Sequence, residues 1–333
     1  MSENNNQAFL SVKDLVVEYT SDGQKIQAVN GVSFDLQKGR TIGLVGETGA
    51  GKTTIAQTIL RILPDRAAHV RGGQVLVDGK DLLSLSEEEM RTNRGNLISM
   101  VFQDPMTALN PTMRVGEQIA EVILHHNEIT QAEAEKRAGQ MLEMVGIPAS
   151  RYKEYPHQFS GGMKQRVVIA IALACTPDIL LADEPTTALD VTIQAQVLDM
   201  INSLKQKNNT SMILITHDLG VVATVCDDVA VIYAGRIVEI GTKEQIFDHP
   251  SHPYTIGLFG AIPSMNVDEE YLHPIEGLPP DPSNLPKGCA FHPRCPYASE
   301  ACRQGEIPEA VTPDGHKCRC INLDKVMEGG AGK

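Results

Sequence analysis

The chain has no tryptophan, and aromatic residues make up only 4% of its 333 positions. Stacking platforms of the kind that hold single-stranded nucleic acid are therefore poorly supplied. Positive charge is short as well. The 29 Lys and Arg stand against 42 Asp and Glu, a formal net charge of −13 that disfavours a nucleic-acid backbone as partner. No apolar run approaches the ~20 residues that cross a bilayer, the longest being pieces such as residues 167–175. The polar start Met1-Ser2-Glu3-Asn4-Asn5-Asn6 is no secretory signal. A cytoplasmic-type chain that reaches a membrane only by docking is the expectation. Cysteine is sparse and uneven. Cys175 and Cys226 stand alone in apolar surroundings and read as buried thiols. The remaining five, Cys289, Cys295, Cys302, Cys318 and Cys320, crowd together in what otherwise reads as an intracellular chain, which favours metal over disulfides.

What the chain does have is Gly46-Glu47-Thr48-Gly49-Ala50-Gly51-Lys52-Thr53, which fits the phosphate-binding pattern GxxxxGK[ST]. Residues 41–45 before it read as a short buried strand, and the stretch from Thr54 to Leu60 as the helix leaving it. A glycine-rich turn between strand and helix aims backbone N–H groups and a helix N-terminus at phosphate oxygens. Lys52 can then reach the β and γ phosphates, and the Thr53 hydroxyl can bind magnesium.

Around this loop, residues 9–36 alternate as antiparallel edge strands broken at Ser21-Asp22-Gly23. Tyr19 ends one of them, where its ring could stack on a base or simply pack. Residues 97–103 read as a buried strand ending in Gln103, the place where a doubly wound sheet puts ligand contacts. Residues 115–145 turn helical and densely charged, as a helical insertion would. Ser160-Gly161-Gly162 offers a helix N-cap and two glycines that let backbone approach an anion, although alone it also fits a surface turn. Residues 179–184 form a strand ending in Asp183 and Glu184, one acid for magnesium and one to orient a water for in-line attack. Residues 211–216 deliver His217, which could touch a γ phosphate or merely close the strand, and residues 229–238 read as a hairpin turning at Ala234-Gly235.

In this order the motifs resemble those of the ATP-binding cassette ATPases over residues 9–250. The resemblance implies an α/β P-loop NTPase fold: a RecA-like core, an edge antiparallel β subdomain and a helical subdomain at about 104–165. It makes Tyr19 the adenine-stacking aromatic, residues 46–53 with Thr54 the nucleotide-binding loop, and Gln103 the glutamine that senses magnesium and the membrane partner. Ser160, Gly161 and Gly162 become the signature acting in trans on another cassette, with Phe159 in place of the usual leucine. Asp183 joins Thr53 and Gln103 at magnesium, Glu184 is the catalytic glutamate, Ala188-Leu189-Asp190 the D-loop and His217 the switch histidine. One motif set per chain implies pairing with a second cassette.

A closer resemblance, to the ATP-binding subunits of oligopeptide/dipeptide ABC importers, rests on Phe102-Gln103-Asp104-Pro105, Ala108-Leu109-Asn110-Pro111, residues 186–196 and 216–223, His252-Pro253-Tyr254-Thr255, and the tail at 288–296. It implies two permease subunits, an extracytoplasmic binding protein, a related ATPase as mate, no nucleic acid, and a peripheral place on the cytoplasmic face of the membrane. Nickel complexes and oligosaccharides are the alternative cargoes. A regulatory cassette that binds nucleotide without hydrolysis is the other reading, opposed by the presence of both Asp183 and Glu184.

Residues 251–325 are expected to form a small irregular extension, with Pro274, Pro279, Pro280, Pro282 and Pro286 limiting regular structure. The cysteine intervals lack the usual C-x2-C zinc spacing, yet four thiolates brought together could hold zinc or an iron–sulfur cluster. The resemblance implies a [4Fe-4S] cluster on Cys289, Cys295, Cys302 and Cys320, the last aligned through His316, with Cys318 as a possible substitute. Zinc, or free or disulfide-linked thiols, are the alternatives.

Overall fold

The computed structural model describes residues 8–21, 23–186, 189–261 and 275–330. The polar start, Asp22, Thr187, Ala188 and Pro274 lie outside the described residues.

Strands β1 (Leu10–Ser21) and β2 (Gln24–Leu36) pair antiparallel through alternating buried and exposed positions. They are followed by β3 (Thr41–Val45), α1 (Lys52–Leu60), β4 (Ala68–Val77) and β5 (Lys80–Asp81). Strands β2-β1-β4-β5 form a four-stranded antiparallel sheet. One face of this sheet is apolar, and Leu10, Leu15, Val17, Val29 and Val75 bury it together with Ile55 and Ile59 of α1.

The chain then runs through α2 (Glu87–Asn93), β6 (Ile98–Val101) and α3 (Pro105–Ala108) into α4 (Val115–His126), α5 (Gln131–Met144) and α6 (Gly161–Leu173). Helices α4, α5 and α6 present Ile119, Ile123, Ala138, Leu142 and Val168 to one another. Thr130 caps α5, its hydroxyl accepting from the Glu133 N–H.

The main sheet is completed by β7 (Ile179–Asp183), α7 (Val191–Asn208), β8 (Ser211–Ile215), α8 (Leu219–Val225), β9 (Asp228–Tyr233), β10 (Arg236–Thr242), α9 (Lys243–Asp248) and α10 (Pro253–Gly260). Strands β3, β7 and β8 are buried at every residue, as central strands of a sheet covered on both faces must be. Strands β9, β3, β8, β7 and β6 are neighbours in that order and parallel, so their C-terminal ends open on one edge where helices begin.

The extension is less irregular than the prolines suggest. Its strands β11 (Ala310–Val311) and β12 (Lys317–Cys318) lengthen the main sheet, β12 pairing antiparallel with β10, and α11 (Leu323–Gly330) follows. Two-residue strands carry no periodicity, so only the exposed edge of β10 accounts for them.

Candidate active site

Residues 46–51 join buried β3 to α1, and the turn depends on its glycines. Gly46 and Gly51 sit at φ 153° and 99°, and a Cβ on either would stand 2.1 Å from the Ile232 carbonyl oxygen or 2.2 Å from that of Ala28. Gly51 caps α1 without a side chain, so the first N–H groups of the helix are left to meet an anion. Lys52 is buried, and its Nζ donates to the carbonyls of Gly46 at 2.8 Å and Glu47 at 2.9 Å. Desolvation lowers its pKa, opposed by the carboxylates of Glu184, Asp183 and Glu47. Thr48 and Gly49 are exposed at the tip of the turn, and the Ala50 N–H closes it onto the Glu47 carbonyl at 3.2 Å.

Asp183 is the last residue of β7, directly across from Ile215 of β8. Its Oδ1 accepts from the Thr53 hydroxyl at 3.1 Å. Burial raises the Asp183 pKa, with the Thr53 hydrogen bond acting against it. A desolvated carboxylate beside a hydroxyl is a hard oxygen donor pair, the kind that suits Mg2+ together with phosphate oxygens. The donor set therefore fits the ion.

Glu184 follows at φ 46°, a left-handed conformation that costs a non-glycine residue about 1–2 kcal/mol. Its N–H donates to the Ile215 carbonyl at 2.8 Å, which holds the turn. The side chain is thereby delivered between two others: Gln103 Nε2 donates to Oε2 at 2.6 Å, and His217 Nδ1 lies 3.3 Å from Oε1. Gln103 and His217 stand just beyond the ends of β6 and β8, the strands on either side of β7. Tyr19 is half-buried on β1 with its hydroxyl 3.5 Å from that of Thr54, which puts the ring beside the start of α1.

Ser160, Gly161 and Gly162 are not part of this constellation. Ser160 caps α6, accepting from the Met163 N–H at 3.4 Å, and the three residues border a groove shared with Gly146, Leu189, Asp190 and Ile193. No residue of the phosphate loop lines that groove. Phe159 is buried, with the Arg151 guanidinium 4.3 Å above its ring, so the leucine replacement is absorbed by local packing.

The metal expected in the extension is corrected by the structure. Among the described residues no group of three or more His, Cys, Asp or Glu side chains could hold a metal ion. This overturns both the [4Fe-4S] cluster and the zinc alternative on Cys289, Cys295, Cys302 and Cys320, with or without Cys318. All of these cysteines are free thiols. Cys302 Sγ is turned to the Ser299 and Asn322 side chains, and Cys318 is committed to β12. Burial pushes Cys295 and Cys320 up to about 11 and raises Cys289 and Cys318 too, which favours the protonated thiol over the thiolate a metal needs. Crowding along the sequence brought these sulfurs to one region without giving them a ligand geometry.

Two further side chains touch the phosphate loop that no local pattern singled out. Tyr254, at the start of α10, accepts from the Glu47 N–H at 2.9 Å, and Arg294 forms a bidentate pair with the Glu47 carboxylate. Only the resemblance at residues 252–255 and 288–296 pointed to those stretches.

The family model for ABC transporters matches residues 29–187, and that for the oligopeptide/dipeptide transporter C-terminal region matches residues 238–302. The chain is 52% identical over 321 residues to the dipeptide transport ATP-binding protein DppD of Bacillus subtilis, covering 96% of each. It is 49% identical over 309 residues to the oligopeptide transport ATP-binding protein OppD of Escherichia coli, covering 92% of this chain and 91% of that one. Its fold is similar to the dimeric structure of a bacterial ABC transporter cassette, with a TM-score of 0.64 and 26% identity over 70% of this chain and 98% of that one. It is also similar to cbiO1 of Clostridium perfringens, with a TM-score of 0.62 and 26% identity over 73% and 92%. The site at the strand ends and the matched extension have one explanation: the chain belongs to the family of ATP-binding subunits of oligopeptide/dipeptide ABC transporters.

Proposed function

We propose that this chain hydrolyses ATP to drive the import of dipeptides or oligopeptides by a binding-protein-dependent transporter. The observation that carries the hydrolytic part is the Glu184 carboxylate, held by Gln103 and His217 one residue beyond the Asp183–Thr53 pair. Lys52 and the N–H groups of residues 46–54 neutralise phosphate charge. Thr53 and Asp183, with Gln103, would hold magnesium, which would supply charge neutralisation to the phosphates. Glu184 orients and deprotonates the attacking water, and His217 and Gln103 fix the carboxylate that does so. Tyr19 stacks on the adenine.

The separate groove at Ser160, Gly161 and Gly162 supports a composite site, in which this signature contacts the nucleotide of a second cassette. That the similar bacterial cassette is dimeric supports the same reading. The mate is a related ATPase subunit, and the pair works with two permease subunits and an extracytoplasmic binding protein at the cytoplasmic face of the membrane. Among the described residues no helix is long and apolar enough to cross a membrane, which fits peripheral attachment through those permeases. Phe102 and Met106, 40% and 62% exposed beside Gln103, give a permease an apolar contact next to the site. The division of labour is an ATPase domain at residues 9–250 and an extension at 251–325.

Peptide as cargo rests on the names of the relatives. Co-reconstitution of the chain with its permeases, mate and binding protein in proteoliposomes tests it. ATP-dependent uptake of dipeptides or oligopeptides is expected, and uptake confined to nickel complexes or oligosaccharides would overturn the cargo.

A further inference from the structure

The extension reaches the phosphate loop through Tyr254 and, as a charge, through the guanidinium of Arg294. Arg294 lies in a single helical turn, His292–Arg294, and its side chain is only 6% exposed. Nη1 donates to Glu47 Oε2 at 2.9 Å and Nη2 to Oε1 at 3.0 Å, a fork on a fork. Its other bonds run to Tyr233 Oη at 3.2 Å, the Glu276 carbonyl at 3.0 Å and the Ile275 carbonyl at 3.4 Å. The hydrogen bonds to Glu47 and Tyr233 raise the guanidinium pKa further, so the charge is permanent. Glu47 is held on its backbone too, since Tyr254 Oη accepts its N–H.

The other side of Glu47 faces the chemistry. Its carbonyl accepts from Lys52 Nζ and from the Ala50 N–H. One residue thus joins the extension to the lysine of the phosphate loop. Beyond that hold the tip of the turn is loosely covered: Thr48 and Gly49 are exposed and share an open pocket with Pro279, Pro280, Pro282 and Leu285, and nothing stands within 4 Å of a Cβ placed on Gly49. Ordering such a turn at the moment of binding costs affinity, and ordering it beforehand removes the cost.

Attachment of the extension does not depend on this contact. Tyr233, Tyr254 and Phe291 pack with ring centroids 4.6, 5.2 and 5.5 Å apart. Strand β12 pairs with β10, and Glu239 and His316 meet at 2.8 Å with both side chains fully buried.

We propose that Arg294 is a positioning residue for ATP binding: through Glu47 it presets the outer turn of the phosphate loop and the place of Lys52. The proposal rests on the reading of residues 46–53 as the nucleotide-binding loop.

The test is equilibrium binding of Mg-ATP to the full-length chain, with melting temperature measured on the same samples. R294Q and E47A are each expected to raise the ATP dissociation constant roughly tenfold, with the melting temperature of R294Q moving by no more than about 3 °C and that of E47A falling further, because E47A leaves a buried guanidinium without its carboxylate. The double variant is expected to be no weaker than the weaker single, because both remove one contact. In the assembled transporter R294Q raises KM for ATP and leaves kcat close to that of the parent. R294K, which cannot fork onto two oxygens, restores only part of the affinity. Unchanged affinity in both single variants, or additive losses in the double, would overturn the proposal. A loss of affinity that only tracks a fall in melting temperature would do the same. If R294Q does not fold, E47A and R294K carry the measurement. K52A separates the two levels: ATP binding unimpaired in K52A sinks the loop reading itself, whereas loss in K52A with normal binding in R294Q and E47A sinks only the positioning role.

Discussion

Gln103 donates to Glu184 across 2.6 Å, the two residues standing just beyond the C-terminal ends of the neighbouring strands β6 and β7. The amide fixes the rotamer of the carboxylate. Q103A is therefore expected to slow turnover at saturating ATP by about ten- to a hundredfold, with a smaller effect on ATP affinity. Steady-state phosphate release over an ATP titration checks this, and the effect should fall mainly on kcat.

Gly46 stands where a methyl group would press on the Ile232 backbone at 2.1 Å, and backbone cannot give way as a flexible side chain can. G46A is expected to cost roughly 2 kcal/mol or more of stability and to abolish ATP binding, because the turn must open to admit the Cβ. Denaturant melts and ATP titration of the purified chain measure the two effects. The contrasting position is Gly49, where a Cβ meets nothing within 4 Å and φ +82° supplies the only strain. G49A is expected to be milder on both counts.

His252 gives stability a pH dependence of definite sign. It is buried at the head of α10, its ring Nδ1 accepts from the Tyr254 N–H, and its backbone N–H donates to Glu239 Oε2. Desolvation pushes its pKa down to about 4 from 6.5, against the attraction of the Glu239 carboxylate. A depressed histidine leaves the unfolded chain binding more protons, so stability falls as pH drops from about 6.5 to about 4. His316 works in the other direction. Its pKa is raised by Glu239 and Asp314 against desolvation, so its contribution is complete below the unfolded value and is lost as pH rises through the raised one. H252N keeps an acceptor for the Tyr254 N–H and is expected to flatten the acid limb by roughly 1–3 kcal/mol. Melting temperature against pH, parent beside variant, reads it.

The phosphate loop, the paired acids, Gln103 and His217 were legible because each is a contiguous motif at the end of an unbroken apolar strand. Strands buried on both faces announce their ends by where the apolar run stops. The hairpin at Ala234-Gly235 was legible for a similar reason, its turn being marked by a glycine at φ 77°. What stayed hidden depends on contacts between segments far apart. Arg294 lies 247 positions from Glu47 along the chain, and nothing local to either residue records the pairing. Strands β11 and β12 are too short for any period and form because β10 leaves an edge to pair with. The cysteine tail misled in the opposite sense: five thiols close in sequence suggested a metal, yet sulfurs must converge on one point to bind one, and spacing does not encode that.

The central claim is that Glu184 activates the water that attacks ATP, and E184Q tests it most directly. The change keeps shape and a hydrogen-bonding partner for Gln103 and His217 while removing the base. Phosphate release by the full-length chain with its mate, measured beside Mg-ATP affinity, is expected to show binding close to that of the parent and turnover lower by at least about a hundredfold. Phosphate release at the parent rate in E184Q would contradict the account.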